Sequence, residues 1–404
     1  MGKNSDCVVM DVQTTGTNSK HNSFDVIVLG VGSMGSATCF HLARRGLKVL
    51  GLEQFSIPHD QGSHAGQSRI IRKAYFEHPD YVPLLERAYQ NWQELEVLTD
   101  TTLYHETGLL YYGPPEDDMM QGVKLSAKTY NVPIEVLNQE HNQNRFPQIT
   151  VPNHYEGLLE PGAGFLPPER AILLYTDQAI KHGAIINTQE KVLSWKKNPG
   201  GGVTVISDKG TYHAAKLVIT AGPWAGYFIP QLKPKLQVTR QVLAWVIPKN
   251  PQPFELGQLP CWMIVDEVNP GILYGFPIMP VGQFNGPIGF KAGYHVPGQV
   301  SDPDQVERTV SKAEEQLIID ALMRFFPESY QSTHVLKTCL YTYTPDENFV
   351  IDFLPGFDQD VVIATGFSGH GFKFASVVGE ILADLSSKGT TALPIGFLNA
   401  SRFF

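Results

Sequence analysis

The apolar residues of this chain change period several times, and each change marks a different kind of element. Residues 26–29 (Val-Ile-Val-Leu) form a short unbroken apolar run closed by glycine, the pattern of a parallel strand buried on both faces. A helical period follows through Ala43, Gly46 stops it, and residues 48–52 make a second apolar run ending at Glu53. The same period predicts helices over 81–96, 118–130 and 169–182. Short strands are predicted over 108–113 (Gly-Leu-Leu-Tyr-Tyr-Gly), 191–194 and 203–206, and a buried strand from 216 runs into a glycine turn and a helix near 222–226. From 237 to 345 apolar and polar residues alternate, which predicts a sheet. The chain closes with a strand over 361–366, a glycine loop and a helix over 372–389.

The turn after the first apolar run carries Gly30, Gly32 and Gly35 at G-x-G-x-x-G spacing. The first glycine permits a tight turn, the second lets backbone approach a pyrophosphate, and the third lets helix pack closely on strand. The helix N-terminus adds positive potential, and Glu53 stands where a carboxylate holds ribose hydroxyls. Strand, helix, second strand and acid together predict a dinucleotide site, against the plainer alternative of a glycine turn that serves packing only. The motif does not separate NAD from FAD. A strand ending in Ala221-Gly222 passes close to the nucleotide in many FAD proteins, although a simple strand-to-helix turn explains it equally well. The element order implies an α/β fold with a discontinuous nucleotide-binding domain over 24–105, 163–236 and 345–390. A mostly antiparallel β domain for substrate, over 106–162, 237–344 and 391–404, is inserted into it, and residues 1–23 read as a polar extension.

Composition narrows the function classes. The 42% hydrophobic and 18% charged residues are enough for a large core, and a net charge of −9 argues against nucleic acid or an anionic membrane as partner. No apolar run reaches the roughly 18–20 residues that span a bilayer. The island at 7–10 is shorter than the apolar region of about 7–15 residues in a secretory leader, and the ending Ser-Arg-Phe-Phe is not a peroxisomal signal of the SKL type. The four cysteines (Cys7, Cys39, Cys261, Cys339) show neither C-x-x-C pairs nor metal-ligand spacing with histidine. No metal is expected, and a reduced, cytoplasmic setting is. Cys39, on the apolar face of the first helix, reads as a small buried hydrophobe, and a lone Cys339 reads the same way until something gives it a partner.

Three further blocks carry candidate chemistry. In 365–376 (Thr-Gly-Phe-Ser-Gly-His-Gly-Phe-Lys-Phe-Ala-Ser) three glycines let amides converge just before a helix N-terminus, a place that stabilises negative charge such as that of a reduced flavin ring. Lys373 opposes the dipole of that helix, which favours a functional lysine over a surface one. In 68–77 (Ser-Arg-Ile-Ile-Arg-Lys-Ala-Tyr-Phe-Glu) Arg69 and Arg72 share a face if helical and suit a carboxylate; a solvated basic turn is the even alternative. In 289–295 strand alternation puts Lys291, Gly293 and His295 on one face, meaningful if that face is inward and empty of meaning if it is not.

In these blocks the chain resembles the monomeric sarcosine oxidase and N-methyltryptophan oxidase family of flavoproteins. The likeness runs over nearly all the sequence after residue 23 and is most specific in the blocks at 62–75, 289–295, 337–352 and 366–381. It implies an FAD-binding Rossmann-type (glutathione-reductase-like) domain and FAD joined covalently through its 8α carbon to the sulfur of Cys339. Arg72 and Lys373 match residues that bind substrate carboxylate, Lys291 the lysine that activates dioxygen, and Arg69 a basic residue beside the flavin ring. Tyr274, His295 and Tyr341 match positions lining the substrate pocket, with His295 and Tyr341 carried over, alongside Lys291 and Arg69, as catalytic. Further cofactor contacts are carried over to Ser33, Met34, Gln54, Ser63, Gln67 and Ser68. The same holds for Val192, Gly222, Trp224, Gly366, Gly369, His370, Gly371 and Phe372.

The reaction so implied oxidises a secondary amine, as its free base, at the N-methyl carbon. The imine hydrolyses to formaldehyde and the demethylated amino acid, and dioxygen leaves as hydrogen peroxide. A small secondary-amine amino acid and dioxygen are then the partners, and the family default is a monomer. One departure stands out: relatives often carry two adjacent histidines where this chain has His64 then Ala65, so a histidine over the flavin face is missing. Retained flavin linkage with an altered rate or substrate range is expected. Lys337, two residues before Cys339, is placed to favour its thiolate if it points the right way. Cyclic secondary amino acids such as proline or pipecolate are the nearest alternative substrates. A non-catalytic flavin-binding redox sensor is a further reading, and an NAD-dependent dehydrogenase explains neither Cys339 nor the 365–376 loop.

Overall fold

Strand Ser23–Leu29 runs parallel to Val49–Leu52 on one side and to Thr211–Ile219 on the other, which is why its inner residues are apolar without alternation. The structure, a computed structural model, describes residues 23–404, so the first strand starts one residue inside the predicted extension; the rest of that extension, Cys7 included, lies outside the described residues. Ile185–Asn187 and Val361–Thr365 extend the parallel sheet at either side. Antiparallel strands Val192–Lys197, Val203–Ser207 and Val350–Phe353 complete eight strands.

The G-x-G-x-x-G turn enters helix Ser33–Arg44, which packs between helices Pro168–Lys181 and Ala375–Lys388. Contact here is backbone-close. A Cβ on Gly35 would stand 1.9 Å from the Gly30 carbonyl oxygen and 2.8 Å from Thr220 Oγ1, and one on Gly379 would stand 2.5 Å from Ala37 Cβ. At Gly35 helix meets strand, and at Gly379 helix meets helix, only because these positions lack a side chain.

The alternating block from 237 supplies six strands of a second, nine-stranded sheet, and Leu109–Gly113, Glu135–Leu137 and Glu156–Glu160 supply the other three. Its spine is Gln237–Ile247, paired along its length with Ser332–Tyr343 and also with Phe290–His295. Alternation separates the two faces as the pattern demands. Ala244, Val246, Phe290 and Ala292 join one apolar cluster, while Leu243, Trp245, Cys339 and Tyr341 join the larger cluster toward the first sheet. The first of these faces is covered by helix Lys312–Phe325, which the alternating-block reading passed over. Its signals were present: Ser311 and Glu314 form a reciprocal capping box, and Ile318, Ala321, Leu322 and Phe325 repeat at helical spacing.

A small third sheet (Arg69–Ile71, Gly164–Leu166, His105–Glu106) bridges the two. The buried Glu160 carboxylate fastens the segment after it, accepting from the Lys73 and Ala74 amides at 2.6 and 3.2 Å and from the Tyr111 hydroxyl at 2.8 Å. The closing residues, expected with the substrate-side domain, pack instead on the eight-stranded sheet. The Ala400 amide donates to Asp352, and Arg402 donates to the Asn348 and Phe349 carbonyls, capping backbone that the sheet leaves open. No helix among the described residues is long and apolar enough to cross a membrane.

The close approach at Gly35 gives a direct test. Gly35→Ala is expected to destabilise by about 1–3 kcal/mol or more, because the obstruction is backbone that cannot yield. Gly200→Ala, with open space around it, should stay within about 0.5 kcal/mol. Thermal unfolding of the two variants beside wild type makes the comparison.

Candidate active site

Between the two large sheets lies a cavity of about 1560 Å³, open solvent at its mouth included. Its nucleotide end is made by Gly30, Gly32, Ser33 and Met34 at the start of the first helix, with Glu53 and Gln54, Val192, and Gly222 and Trp224 around them. Gly32 forms a true cradle: the nearest atom to a Cβ there would be His64 Nδ1 at 3.8 Å, so a side chain would fill only the cavity itself. The Glu53 carboxylate is held in place by the amides of Val31 (2.9 Å) and Phe55 (3.0 Å). Two lining residues, His64 and Thr342, bury a polar atom (Nε2 and Oγ1) with no protein partner. Buried polar atoms are rarely left so unless a ligand answers them. Anion-binding turn, fixed acid and waiting donors fit the dinucleotide part of FAD.

Further along, the loop 63–68 crosses the cavity wall. Arg69 is folded back on it, donating to Ser68 O (2.9 Å), Ser63 O (3.0 Å) and Ala65 O (2.6 Å). Lys291 reaches it from the nine-stranded sheet, with Nζ donating to Gly66 O at 2.5 Å, Ser68 O at 2.8 Å and Ser68 Oγ at 3.2 Å. From the other side Glu169, unmarked in the sequence reading, accepts from the Gly66 and Gln67 amides. Burial, then Arg69, pushes the Lys291 pKa well down. Three acceptors around Nζ nevertheless match the three N–H bonds of an ammonium.

Arg69 and Ser63 line the cavity, whereas Lys291, Cys339, Gln67, Ser68 and Gly35 stand just behind its wall. Gln67 is engaged there by the Trp245 indole N–H at 2.9 Å. Cys339 shares its strand face with Tyr341, which does line the cavity. Burial raises the thiol's pKa, opposed by Arg69, Lys291 and Arg308. Lys337 is exposed and plays no part in that balance: the cations beside the sulfur come from other elements.

At the far end the loop Gly366, Gly369, Gly371 meets Tyr341, so closely that a Cβ on Gly369 would stand 2.4 Å from its ring. His370, Phe372 and Lys373 line the cavity from this loop, facing Tyr274, His295 and Tyr341. Lys373 is 5% exposed, which removes the surface alternative, and it sits in a 3₁₀ turn ahead of helix Ala375–Lys388. Burial, then the charge of Arg72, lowers its pKa to about 7 against the pull of Glu77. His295 is lowered to about 4 by burial, and burial raises both tyrosines, so all three are neutral near pH 7.

Arg69 and Arg72 do not share a helix face. Arg69 opens the short strand Arg69–Ile71, and Arg72 follows it. The Arg72 guanidinium, expected to await a substrate carboxylate, is already paired: Nη2 donates to both Glu77 oxygens at 2.7 Å, and Nη1 to Ala74 O at 3.2 Å. Burial alone would raise the Glu77 pKa, but Arg72, with His370 and Lys373, holds it at about 2. Glu77 was missed although it lies only five residues beyond Arg72, because a carboxylate on an irregular loop has no period to betray its direction.

The family model of FAD dependent oxidoreductases matches residues 25–385. Monomeric sarcosine oxidase of Streptomyces avermitilis is 38% identical over 382 residues, covering 94% of this chain and 98% of that one. Peroxisomal sarcosine oxidase of Homo sapiens is 35% identical (94% and 96% covered). N-methyl-L-tryptophan oxidase of Salmonella dublin is also 35% identical (94% and 99% covered). Among solved structures, the open form of NikD, an amino acid oxidase, superimposes with a TM-score of 0.81 at 24% identity over 94% of this chain and 97% of that one. L-proline dehydrogenase from P. horikoshii superimposes at 0.78 with 20% identity (95% and 98% covered), a likeness of fold. With the glycine cradle, the fixed Glu53 and the cavity between the sheets all inside the matched span, the chain belongs to the FAD dependent oxidoreductase family.

Proposed function

We propose that this FAD-dependent oxidoreductase oxidatively demethylates N-methyl amino acids, yielding formaldehyde, the amino acid and hydrogen peroxide. The observation that carries this reading is Lys373, a buried lysine lining the cavity with no acid bonded to its Nζ, opposite a wall of neutral His295, Tyr274 and Tyr341. Lys373 holds the substrate carboxylate, and Arg72 contributes through its field while Glu77 keeps it in place. The neutral wall receives the secondary amine as its free base, and the Glu77 carboxylate that lines the same end is already bound by Arg72. Bound FAD supplies the two-electron oxidation. Lys291 stabilises negative charge developing on dioxygen through its field, its own N–H bonds being committed to the 66–68 loop.

The covalent anchor is Cys339, joined at the flavin 8α carbon. This is supported by a lone buried thiol on the cavity-facing side of its strand, with Arg69 and Lys291 favouring the thiolate. The eight-stranded sheet is the cofactor domain and the nine-stranded sheet the substrate domain. The enzyme works as a monomer in the cytoplasm, where the buried Cys39 and Cys261 stay reduced.

A peroxide-coupled screen across secondary amino acids of increasing side-chain size tests the reaction. N-methyl amino acids should release peroxide and formaldehyde in equal amounts; turnover confined to cyclic amino acids, or none at all, overturns it. Mass spectrometry of the denatured protein should find a flavin adduct on the peptide holding Cys339, and Cys339→Ser should release all flavin on denaturation.

The Lys373 pKa sets a pH dependence for carboxylate binding. Only the ammonium attracts a carboxylate, so affinity is full below about 7 and falls as pH rises through it, by up to about tenfold per unit. The groups facing Lys373 are Arg72, Glu77, Tyr75 and His370, none of which changes charge in that window. Titrating acetate against the flavin absorbance from pH 6 to 9 should show the loss in wild type and not in Lys373→Met.

A further inference from the structure

The substrate end contains a hydrogen-bond chain that the function above does not by itself require. His370 Nε2 lies 3.1 Å from the Glu347 carbonyl oxygen, and Nδ1 lies 2.5 Å from Tyr75 Oη. A carbonyl can only accept, so Nε2 bears the ring hydrogen of the neutral imidazole and Nδ1 is an acceptor. The Tyr75 hydroxyl must then donate to Nδ1. That commits its single O–H and leaves the phenol oxygen with lone pairs only.

Lys373 Nζ stands 3.5 Å from this oxygen and donates to the His370 carbonyl at 2.7 Å. Two of the three ammonium N–H bonds therefore point at fixed acceptors, and one is left for the cavity. The Lys373 backbone is held too, its carbonyl accepting from the Trp92 indole at 2.9 Å. Tyr75 itself is fully buried between Arg72, whose guanidinium carbon lies 4.2 Å from its ring centre, and Tyr81 and Phe374. The groups facing His370 are Glu77 at 3.9 Å, Lys373, Tyr75 and His295, with Tyr81 and Phe349 packing on its ring.

We propose that His370, acting through Tyr75, is a positioning residue that orients Lys373 to present one N–H to the substrate carboxylate and so sets selectivity for amino acids over simple amines. The inference rests on Lys373 being the carboxylate anchor of the proposed reaction. The tautomer is what matters: an imidazole donating from Nδ1 would turn the hydroxyl of Tyr75 toward Lys373 and set two donors against each other. Orientation, rather than charge, is thus what His370 contributes.

The test uses the FAD-loaded enzyme with Tyr75→Phe, His370→Leu and His370→Asn, whose Oδ1 can accept in place of Nδ1. Acetate is titrated against the flavin absorbance, and kcat and KM are compared for an N-methyl amino acid and for N-methylpropylamine. Tyr75→Phe and His370→Leu should weaken acetate and raise KM for the amino acid by about tenfold or more, the worth of one charge-assisted hydrogen bond. In Tyr75→Phe, kcat and the amine should stay within about twofold, and His370→Asn should restore most of the acetate affinity lost in His370→Leu. Unchanged acetate affinity in Tyr75→Phe overturns the proposal, as does equal damage to both substrates or failure of His370→Asn to rescue. If His370→Leu does not fold, Tyr75→Phe, which keeps the ring, decides alone. Should no amino acid be oxidised by wild type, the proposed reaction falls, while the acetate titration still judges the positioning role.

Discussion

Burying Lys291 without an acid partner constrains the structure around it more than any other single interaction. An ammonium removed from water costs several kcal/mol unless its hydrogen bonds are met in full. Here the loop 66–68 meets them, with two carbonyls and a hydroxyl turned inward. A loop that gives its carbonyls to one side must place its amides on the other, and Glu169 receives those of Gly66 and Gln67. Arg69 takes the carbonyls of Ser63 and Ala65 and shares that of Ser68 with Lys291. The result ties the nine-stranded sheet, which supplies Lys291, to the helix Pro168–Lys181 that lies against the nucleotide turn's own helix.

The opposite end of the cavity handles charge differently. Arg72 and Glu77 neutralise one another in a buried pair, with Nη2 on both carboxylate oxygens, while Lys373, some 300 residues away in sequence, has only neutral acceptors. An ammonium so placed is poised near neutrality because burial opposes its charge and Arg72 adds to that opposition. A ligand carboxylate removes both penalties at once. The two lysines therefore share a plan, ammonium groups bound by dipoles rather than by acids, which leaves their fields directed at whatever enters between them.

Much of this architecture was legible as local pattern. The glycine turn, its flanking strands and Glu53 were readable because each obeys a short-range rule of backbone sterics. The helix over 312–325 was not read, since a capped amphipathic helix of fourteen residues was absorbed into a long alternating block whose edges it shares. Expectations that joined Arg69 to Arg72 and Cys339 to Lys337 failed for a common reason. Both assumed that neighbours in sequence act together, whereas Arg69 turns back onto its own loop and the cations near Cys339 arrive from residues 69, 291 and 308.

By itself, then, the sequence determined the residue inventory and the local geometry: a cradle for a dinucleotide, a strand alternation that sets Lys291 and His295 on one face, and a glycine loop leading to Lys373. Those follow from period and steric allowance, which act over a few residues. Only the tertiary structure decided that this face is inward, that Glu77 occupies Arg72, and that Tyr75 and His370 flank Lys373. Such facts depend on which distant groups meet where water is excluded. There a polar atom's partner is set by geometry and desolvation, and neither is written in the order of the residues.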